Sequence, residues 1–288
     1  MDTSDPTITF DGDGVCSYCR NFFDVIKPNW HANEEGLAKI APLIERIKIQ
    51  GAKRDHDCLI GISGGLDSTY IAYSAVKRFG LRPLLFHVDA GWNTDVAVSN
   101  IQKLVDVLGL DLVTHVVNWQ EMKDLQRAFF KSGVPSQDTP QDVAFFSALF
   151  NFANDHGFKY IITGGNHSTE CIRECLDWTY FATDLTQLRD IHKRFGQFPL
   201  RTFPLCDILK YKIYYRYVKG VRVVKLLDSQ PYVKAAAIVE LQNEIGWTPY
   251  QMKHYESRLS RFLESYWYPR KHGFDKRRAY FSSEVLSG

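Results

Sequence analysis

No run of apolar residues in this chain is long enough to cross a bilayer, so the sequence holds no membrane-spanning helix. The opening Met1-Asp-Thr-Ser-Asp-Pro6 lacks the basic and apolar stretches of a secretory leader. Charge of one sign is also lacking. Thirty-five Lys and Arg stand against 33 Asp and Glu, a net charge of +2. No global field recruits nucleic acid, and any polyanion site must be local. Six cysteines in 288 residues do not make a disulfide scaffold; a reducing cytoplasm fits them better. Internal repeats and low-complexity segments are missing too. What remains is the composition of a folded globular protein, 45% hydrophobic and 24% charged, with room for one large domain or two small ones.

The most informative stretch is Cys58-Leu-Ile-Gly-Ile-Ser-Gly-Gly-Leu-Asp-Ser-Thr69. It reads as a buried strand, a Gly-rich turn and the start of a helix. Glycines let the backbone approach a ligand and take positive φ, successive N–H groups form a concave nest, and the following helix adds free donors and its positive dipole end. Ser63 and Ser68 supply hydroxyls for phosphate oxygens. Asp67 cannot attract phosphate by charge, so it is expected to orient the loop or help hold Mg²⁺. No Gly-Lys-Ser/Thr closes the loop, so this is not a Walker A sequence. Ser-Gly-Gly-x-Asp-Ser resembles the PP-loop of the N-type ATP pyrophosphatases, which cleave ATP between the α and β phosphates and adenylate a substrate oxygen. A bland Gly-rich strand–helix turn is the competing reading.

Along the chain, strands expected at 83–89, 111–117 and 159–163 alternate with helices at 94–108, 120–131 and 139–155. This is the pattern of a doubly wound parallel sheet. An amphipathic helix at 33–50 contains Pro42, a candidate kink. Asp89 and Gly91 fall at the carboxyl end of the second strand, where such sheets bind ligands. A second Gly-rich turn, Gly164-Gly-Asn-His-Ser-Thr-Glu170, ends the fourth strand, where it could hold Mg²⁺ or substrate. The Phe-rich stripe at 145–152 reads as core. Cys16-Ser-Tyr-Cys19 is half of a zinc knuckle, with a redox pair or two plain thiols as alternatives. Cys171 and Cys175 share a face if their segment is helical, and two core thiols is the favoured reading. Past residue 178 the pattern is helical and aromatic, with segments expected at 184–195, 207–218, 231–245 and 256–267. A basic stretch at 268–278, with Arg258 and Arg261 upstream, is either a phosphate clamp or a solvated surface. The chain thus divides into a Cys-containing segment at 1–34, an ATP pyrophosphatase-like α/β domain at 35–180 and a helical substrate or partner region at 181–288.

Several motifs together resemble the N-acetyl sugar amidotransferases, enzymes that form the acetamidino group of lipopolysaccharide O-antigen sugars. They are the opening Met1-Asp-Thr-Ser-Asp-Pro through Cys19, Ile62-Ser-Gly-Gly-Leu-Asp-Ser-Thr-Tyr70, Thr163-Gly-Gly-Asn-x-x-x-Glu170, Asp184-Leu-x-x-Leu-x-x-Ile-His192, Glu256-Ser-Arg-Leu-x-x-Phe262 and Gly273-Phe-Asp-Lys-Arg277. They span nearly the whole chain. The resemblance implies a cytoplasmic, ATP- and Mg²⁺-dependent amidotransferase. In that reaction ATP adenylates the oxygen of an N-acetyl group on a UDP-sugar, and ammonia from a partner glutaminase displaces AMP. Ser63, Gly64, Gly65, Asp67 and Ser68 carry over as the pyrophosphate site, and Gly164, Gly165, Asn166 and Glu170 as a second site beside it. Glu170 or Asp67 is the candidate proton acceptor. The family also implies a four-Cys zinc site, of which only Cys16 and Cys19 are in this sequence; relatives commonly carry another Cys-x-x-Cys ahead of the Met-Asp-Thr-Ser-Asp-Pro stretch and continue past Gly288. Weak or absent zinc is expected, with Cys171, Cys175, Cys206 or His31 as the remaining candidate ligands. Two other readings stand beside this one: a tRNA-modifying enzyme of thiolase or lysidine-synthetase type, and a non-catalytic nucleotide-binding partner.

Overall fold

Cys58, Leu59 and Ile60 are all buried, which requires a strand covered by helices on both faces. The computed structural model describes residues 1–288 and repeats this pattern along the chain. In order come α1 (Ser17–Asn21), α2 (Glu34–Gly51), β1 (Cys58–Gly61), α3 (Leu66–Lys77), β2 (Pro83–Asp89), α4 (Asp95–Leu108), β3 (Leu112–Val116), α5 (Trp119–Ser132), α6 (Thr139–Asp155), β4 (Tyr160–Ile162) and α7 (His167–Glu170). They are followed by α8 (Leu185–Phe195), β5 (Arg222–Val224), α9 (Lys234–Ile245), α10 (Arg258–Phe262) and α11 (Arg277–Ser287). Local chemistry sets the boundaries. Asn33, Thr94, Asn118 and Asp184 accept first-turn N–H bonds at helix starts, and Gly109 and Gly246 end α4 and α9 in the left-handed conformation. Helix α2 runs through Pro42.

The strands form one parallel sheet in the order β3-β2-β1-β4-β5. The chain winds outward through β2 and β3, then returns to pair β4 with β1, Leu59 opposite Ile161 and Ile60 opposite Ile162. The winding direction reverses there, and the crevice at the carboxyl ends of β1 and β4 is the ligand position of such sheets. Alternate strand residues feed two cores. Ile60, Ile71, Leu104 and Leu241 pack on one face. Leu59, Phe86, Phe129 and Phe150 pack on the other, with Phe145, Phe146 and Phe152 against them, so the Phe stripe is core.

The expected doubly wound α/β class is what the structure shows, with differences in detail. The region after residue 180 is not purely helical: β5 joins the sheet beside β4, and residues of α9 belong to the core over β1. A three-residue edge strand with Val223 exposed carries too little alternation to read from sequence. Lys210–Val218 and Leu263–His272 are wound as π-helix. Cys171 and Cys175 do not share a helix face, because α7 stops at Glu170. Cys171 packs with Phe22 and Ala279, and Cys175 with Trp178 and Leu263. No helix is long and apolar enough to cross a membrane.

Candidate functional site

β1 delivers Ser63-Gly64-Gly65 into the crevice, and α3 starts directly after it. Gly64 has φ +79°, and a Cβ there would meet the Ala97 carbonyl oxygen at 2.5 Å; only glycine fits. The Gly64 carbonyl is drawn into the fold by three donors, Trp247 Nε1 at 3.2 Å, the Tyr250 hydroxyl at 3.2 Å and Asn100 Nδ2 at 3.4 Å. The Ser63 N–H is bonded to Ser68 Oγ and the Gly65 N–H to Ser63 Oγ, each at 3.2 Å. Phosphate oxygens can take the place of those hydroxyls. Gly65 gives α3 no side-chain cap, so the helix end is left to attract an anion.

The second Gly-rich turn presses against the first. A Cβ on Gly164 would lie 2.8 Å from the Asp67 carbonyl carbon and 2.9 Å from the Ser68 nitrogen. Gly165 lies beside Glu170, whose Oε2 a Cβ would approach to 3.6 Å. Asn166 is 1% exposed. It accepts from the Thr169 N–H and donates to the Gly164 carbonyl, both at 2.9 Å. Its amide is used within the turn, so it shapes the site and does not offer itself to a ligand. Asp89 behaves alike. Its carboxylate accepts from the Gly91 N–H at 2.8 Å and from Asn93 Nδ2 at 3.1 Å, and it builds the β2–α4 turn.

Lys253 ties the two loops together. Its ammonium lies 3.3 Å from Asp67 Oδ2 and 2.7 Å from Glu170 Oε1, and it donates to Thr169 Oγ1 at 2.9 Å. Burial alone would lower its pKa, but Asp67 and Glu170 outweigh that and raise it, so it stays charged. The Tyr232 hydroxyl donates to Asp67 Oδ1. Burial, then the Asp67 charge, pushes that phenol far up, making it a permanent donor. The structure therefore brings Asp67 and Glu170 together, as the sequence suggested, but around a lysine. This donor set does not fit a protein-held Mg²⁺. The position between the carboxylates is taken by an ammonium, and no group of three or more His, Cys, Asp or Glu is arranged for a metal. Neither Lys253 nor Tyr232 stands in a recognisable motif.

A third contribution comes from far along the chain. Glu256 Oε1 accepts from Ser63 Oγ at 3.3 Å and would meet a Cβ on Gly65 at 2.7 Å. The segment carrying it is stitched to the β2–α4 turn: the Thr94 N–H donates to the Glu256 carbonyl at 3.0 Å, and the Arg258 N–H to the Trp92 carbonyl at 2.8 Å. A carboxylate thus sits in the nest expected to receive phosphate.

The remaining candidates lie apart from this crevice. Cys16 and Cys19 have their sulfurs 3.4 Å apart. His31 faces Glu35, while Cys171, Cys175 and Cys206 are buried in three other places. Two thiols without further ligands do not fit tetrahedral zinc. Of the basic stretch and the arginines upstream of it, four cations are held in ion pairs, while Arg261, Arg270 and Lys271 form none. Lys276 binds Asp138 and Glu174, Arg277 binds Asp275, Arg278 binds Asp2, and Arg258 binds Asp95.

Fold and loops define a doubly wound α/β protein with a PP-loop-type anion nest at its topological switch point. Residues 256–288 match the family described as LPS biosynthesis protein WbpG-like, C-terminal domain. The resemblance read from the sequence is borne out over that stretch, and Glu256 is the first residue matched. Among solved structures the chain is similar to U34-tRNA thiolase NcsA from Methanococcus maripaludis with its 4Fe–4S cluster, at 14% identity over 85% of this chain and 78% of that one, TM-score 0.38. It is also similar to NH3-dependent NAD synthetase from Campylobacter jejuni (14% identity, 75% and 99% covered, TM-score 0.35) and to NMN synthetase from Francisella tularensis (15%, 77% and 98%, TM-score 0.33). No curated protein matches the chain.

Proposed function

We propose that this protein is an ATP-dependent, AMP-forming amidotransferase acting on the N-acetyl group of a UDP-linked sugar acid in lipopolysaccharide O-antigen synthesis. The observation that carries the reading is the meeting of two parts: the nest of Ser63, Gly64 and Gly65, and the WbpG-like segment whose first matched residue, Glu256, reaches into it. In this reading the acetamido oxygen attacks the α phosphorus of ATP and pyrophosphate leaves. Ammonia then adds to the activated carbon, and AMP leaves to give the acetamidine. Charge develops on the departing pyrophosphate, where the loop N–H groups, Ser63, Ser68 and the α3 terminus stabilise it. Lys253 holds Asp67 and Glu170 at the edge of the nest and adds a fixed positive charge. No protein nucleophile is needed. Ammonia is expected from a separate glutaminase of the kind that pairs with a cyclase, and the compartment is the cytoplasm.

The test is release of AMP and pyrophosphate from ATP with ammonium and a UDP-linked N-acetylated sugar acid, with the sugar read by mass spectrometry. Sugar-dependent AMP release with oxygen replaced by NH establishes the reaction. AMP release with an unchanged sugar refutes the acceptor and makes tRNA the next one to try.

A further inference from the structure

Charge is balanced over the whole chain but not along it. Between Asp207 and Asp228 stand six Lys and Arg and no Asp or Glu. Lys210 is spent inside the fold, donating to Asn151 Oδ1 at 2.9 Å. Lys212, Arg216, Lys219, Arg222 and Lys225 are exposed and form no ion pair. The π-helical segment Lys210–Val218 carries the first half of this stretch, and its inner side is committed to the core. Tyr215 is buried, with its ring stacked 6.3 Å from Phe150 and its hydroxyl donating to Asn151 Oδ1 at 2.6 Å. Tyr211 packs edge-on against Phe146 at 4.7 Å.

The outer side is apolar and faces water. Winding with i→i+5 hydrogen bonds brings residues four and five apart onto one face. Leu209, Ile213, Tyr217 and Val218 share such a face, and they are between 53% and 74% exposed. A contiguous exposed apolar surface of this kind marks a protein or membrane contact. Cations lie among these side chains. The Arg216 guanidinium is 5.4 Å from the centre of the Tyr217 ring, and the Lys219 ammonium is 5.4 Å from that of Tyr214.

The combination decides the occupant. Nucleic acid would use the cations but not exposed Leu, Ile and Val. Protein interfaces are depleted in Lys. An anionic lipid surface takes up every part: aliphatic side chains enter the acyl boundary, Tyr rings sit at headgroup level, and Lys and Arg reach the phosphates. We propose that the face of Leu209, Ile213, Tyr217 and Val218, with Lys212, Arg216 and Lys219 around it, docks this protein on the surface of an anionic phospholipid bilayer. The segment lies on the bilayer and does not cross it. From its end the turn at Gly220 enters β5 at the strand's amino end. The nest is at the opposite, carboxyl end of the sheet, so a docked protein keeps it open. The inference does not depend on which acceptor the nest serves.

The test is sedimentation of the full chain with vesicles of phosphatidylcholine alone, or with roughly a third of the lipid replaced by phosphatidylglycerol. Wild type should bind the anionic vesicles at least about tenfold more tightly, and less so in high salt. The variant Lys212→Gln/Arg216→Gln/Lys219→Gln should lose about 10²-fold, at roughly fivefold per charge. Leu209→Ser/Ile213→Ser should lose about tenfold and keep the salt dependence. All five positions are exposed, so both variants should melt at the wild-type temperature. Equal binding to neutral and anionic vesicles, or full binding by the charge variant, overturns the proposal. A loss with the charge variant but none with the aliphatic one marks a general polyanion surface and also overturns it. So does a wild-type dimer that the aliphatic variant dissolves, which would give the face to a second copy of the chain.

Discussion

Glu256→Gln keeps the shape of the side chain that occupies the nest and removes its charge. Glu256 Oε1 lies 3.3 Å from Ser63 Oγ, so a phosphate bound by this loop would sit within a few ångströms of it. Two unit charges 4 Å apart repel by about 4 kcal/mol at an effective dielectric constant of about 20. Glu256 is half-buried, and solvent screening and its freedom to swing aside cut that figure, leaving roughly 1–2 kcal/mol. The expected result is nucleotide binding tighter by about tenfold, read by calorimetric titration with a non-hydrolysable ATP analogue. The gap between variant and wild type should narrow in high salt. Equal or weaker binding by Glu256→Gln would show that the carboxylate does not oppose phosphate and would refute this account of the nest.

Asp67→Ala should abolish AMP formation, by about 10²-fold or more, while the circular dichroism spectrum stays unchanged; turnover near wild type would remove Asp67 from the site. Lys253→Met strands two carboxylates, and with the ammonium side chain 14% exposed it should cost on the order of 3 kcal/mol in urea unfolding; a neutral result would mean the pairs are not formed in solution. Gly164→Ala drives a methyl into the Asp67 backbone, 2.8 Å away, and should lose about 1–3 kcal/mol of stability together with analogue binding. Stability should also fall as the solution becomes alkaline. Burial opposes charge on the His254 ring, but Glu264 outweighs it and raises the pKa from 6.5 to about 9. This stabilisation is complete below the unfolded value and is lost as pH rises through about 9. Denaturant midpoints between pH 6 and 9.5 should show the alkaline decline, and His254→Gln should flatten it; an unchanged slope would rule the pair out.

Those residues differ sharply in how far the sequence disclosed them. Ser63, Gly64, Gly65 and Ser68 were legible because the nest is a local structure, made by glycine conformations and a helix end that follow from adjacent residues. The strand–helix alternation was legible for the same reason, through apolar patterning that fixes burial one element at a time. Tyr232, Lys253 and Glu256 owe their roles to where the fold carries them. Lys253 in Gln251-Met-Lys-His254 has no spacing that signals a partner. Asn166 read as a ligand group because an amide after a Gly-Gly turn suits one, yet the same chemistry suits the start of a helix, and there it is spent. Lys276 read as surface or clamp, and three-dimensional neighbours made it a buried ion-pair partner instead.

The three donors on the Gly64 carbonyl bear on how freely such a motif can travel between proteins. Two of them, Trp247 and Tyr250, stand more than 180 positions downstream of the glycine they hold. A segment cut out around the Ser-Gly-Gly-x-Asp-Ser sequence would take the letters along but leave behind the side chains that fix that peptide's orientation. Grafted onto another strand and helix, it would be a flexible turn. The signature is short in sequence, but the working part is the size of the sheet.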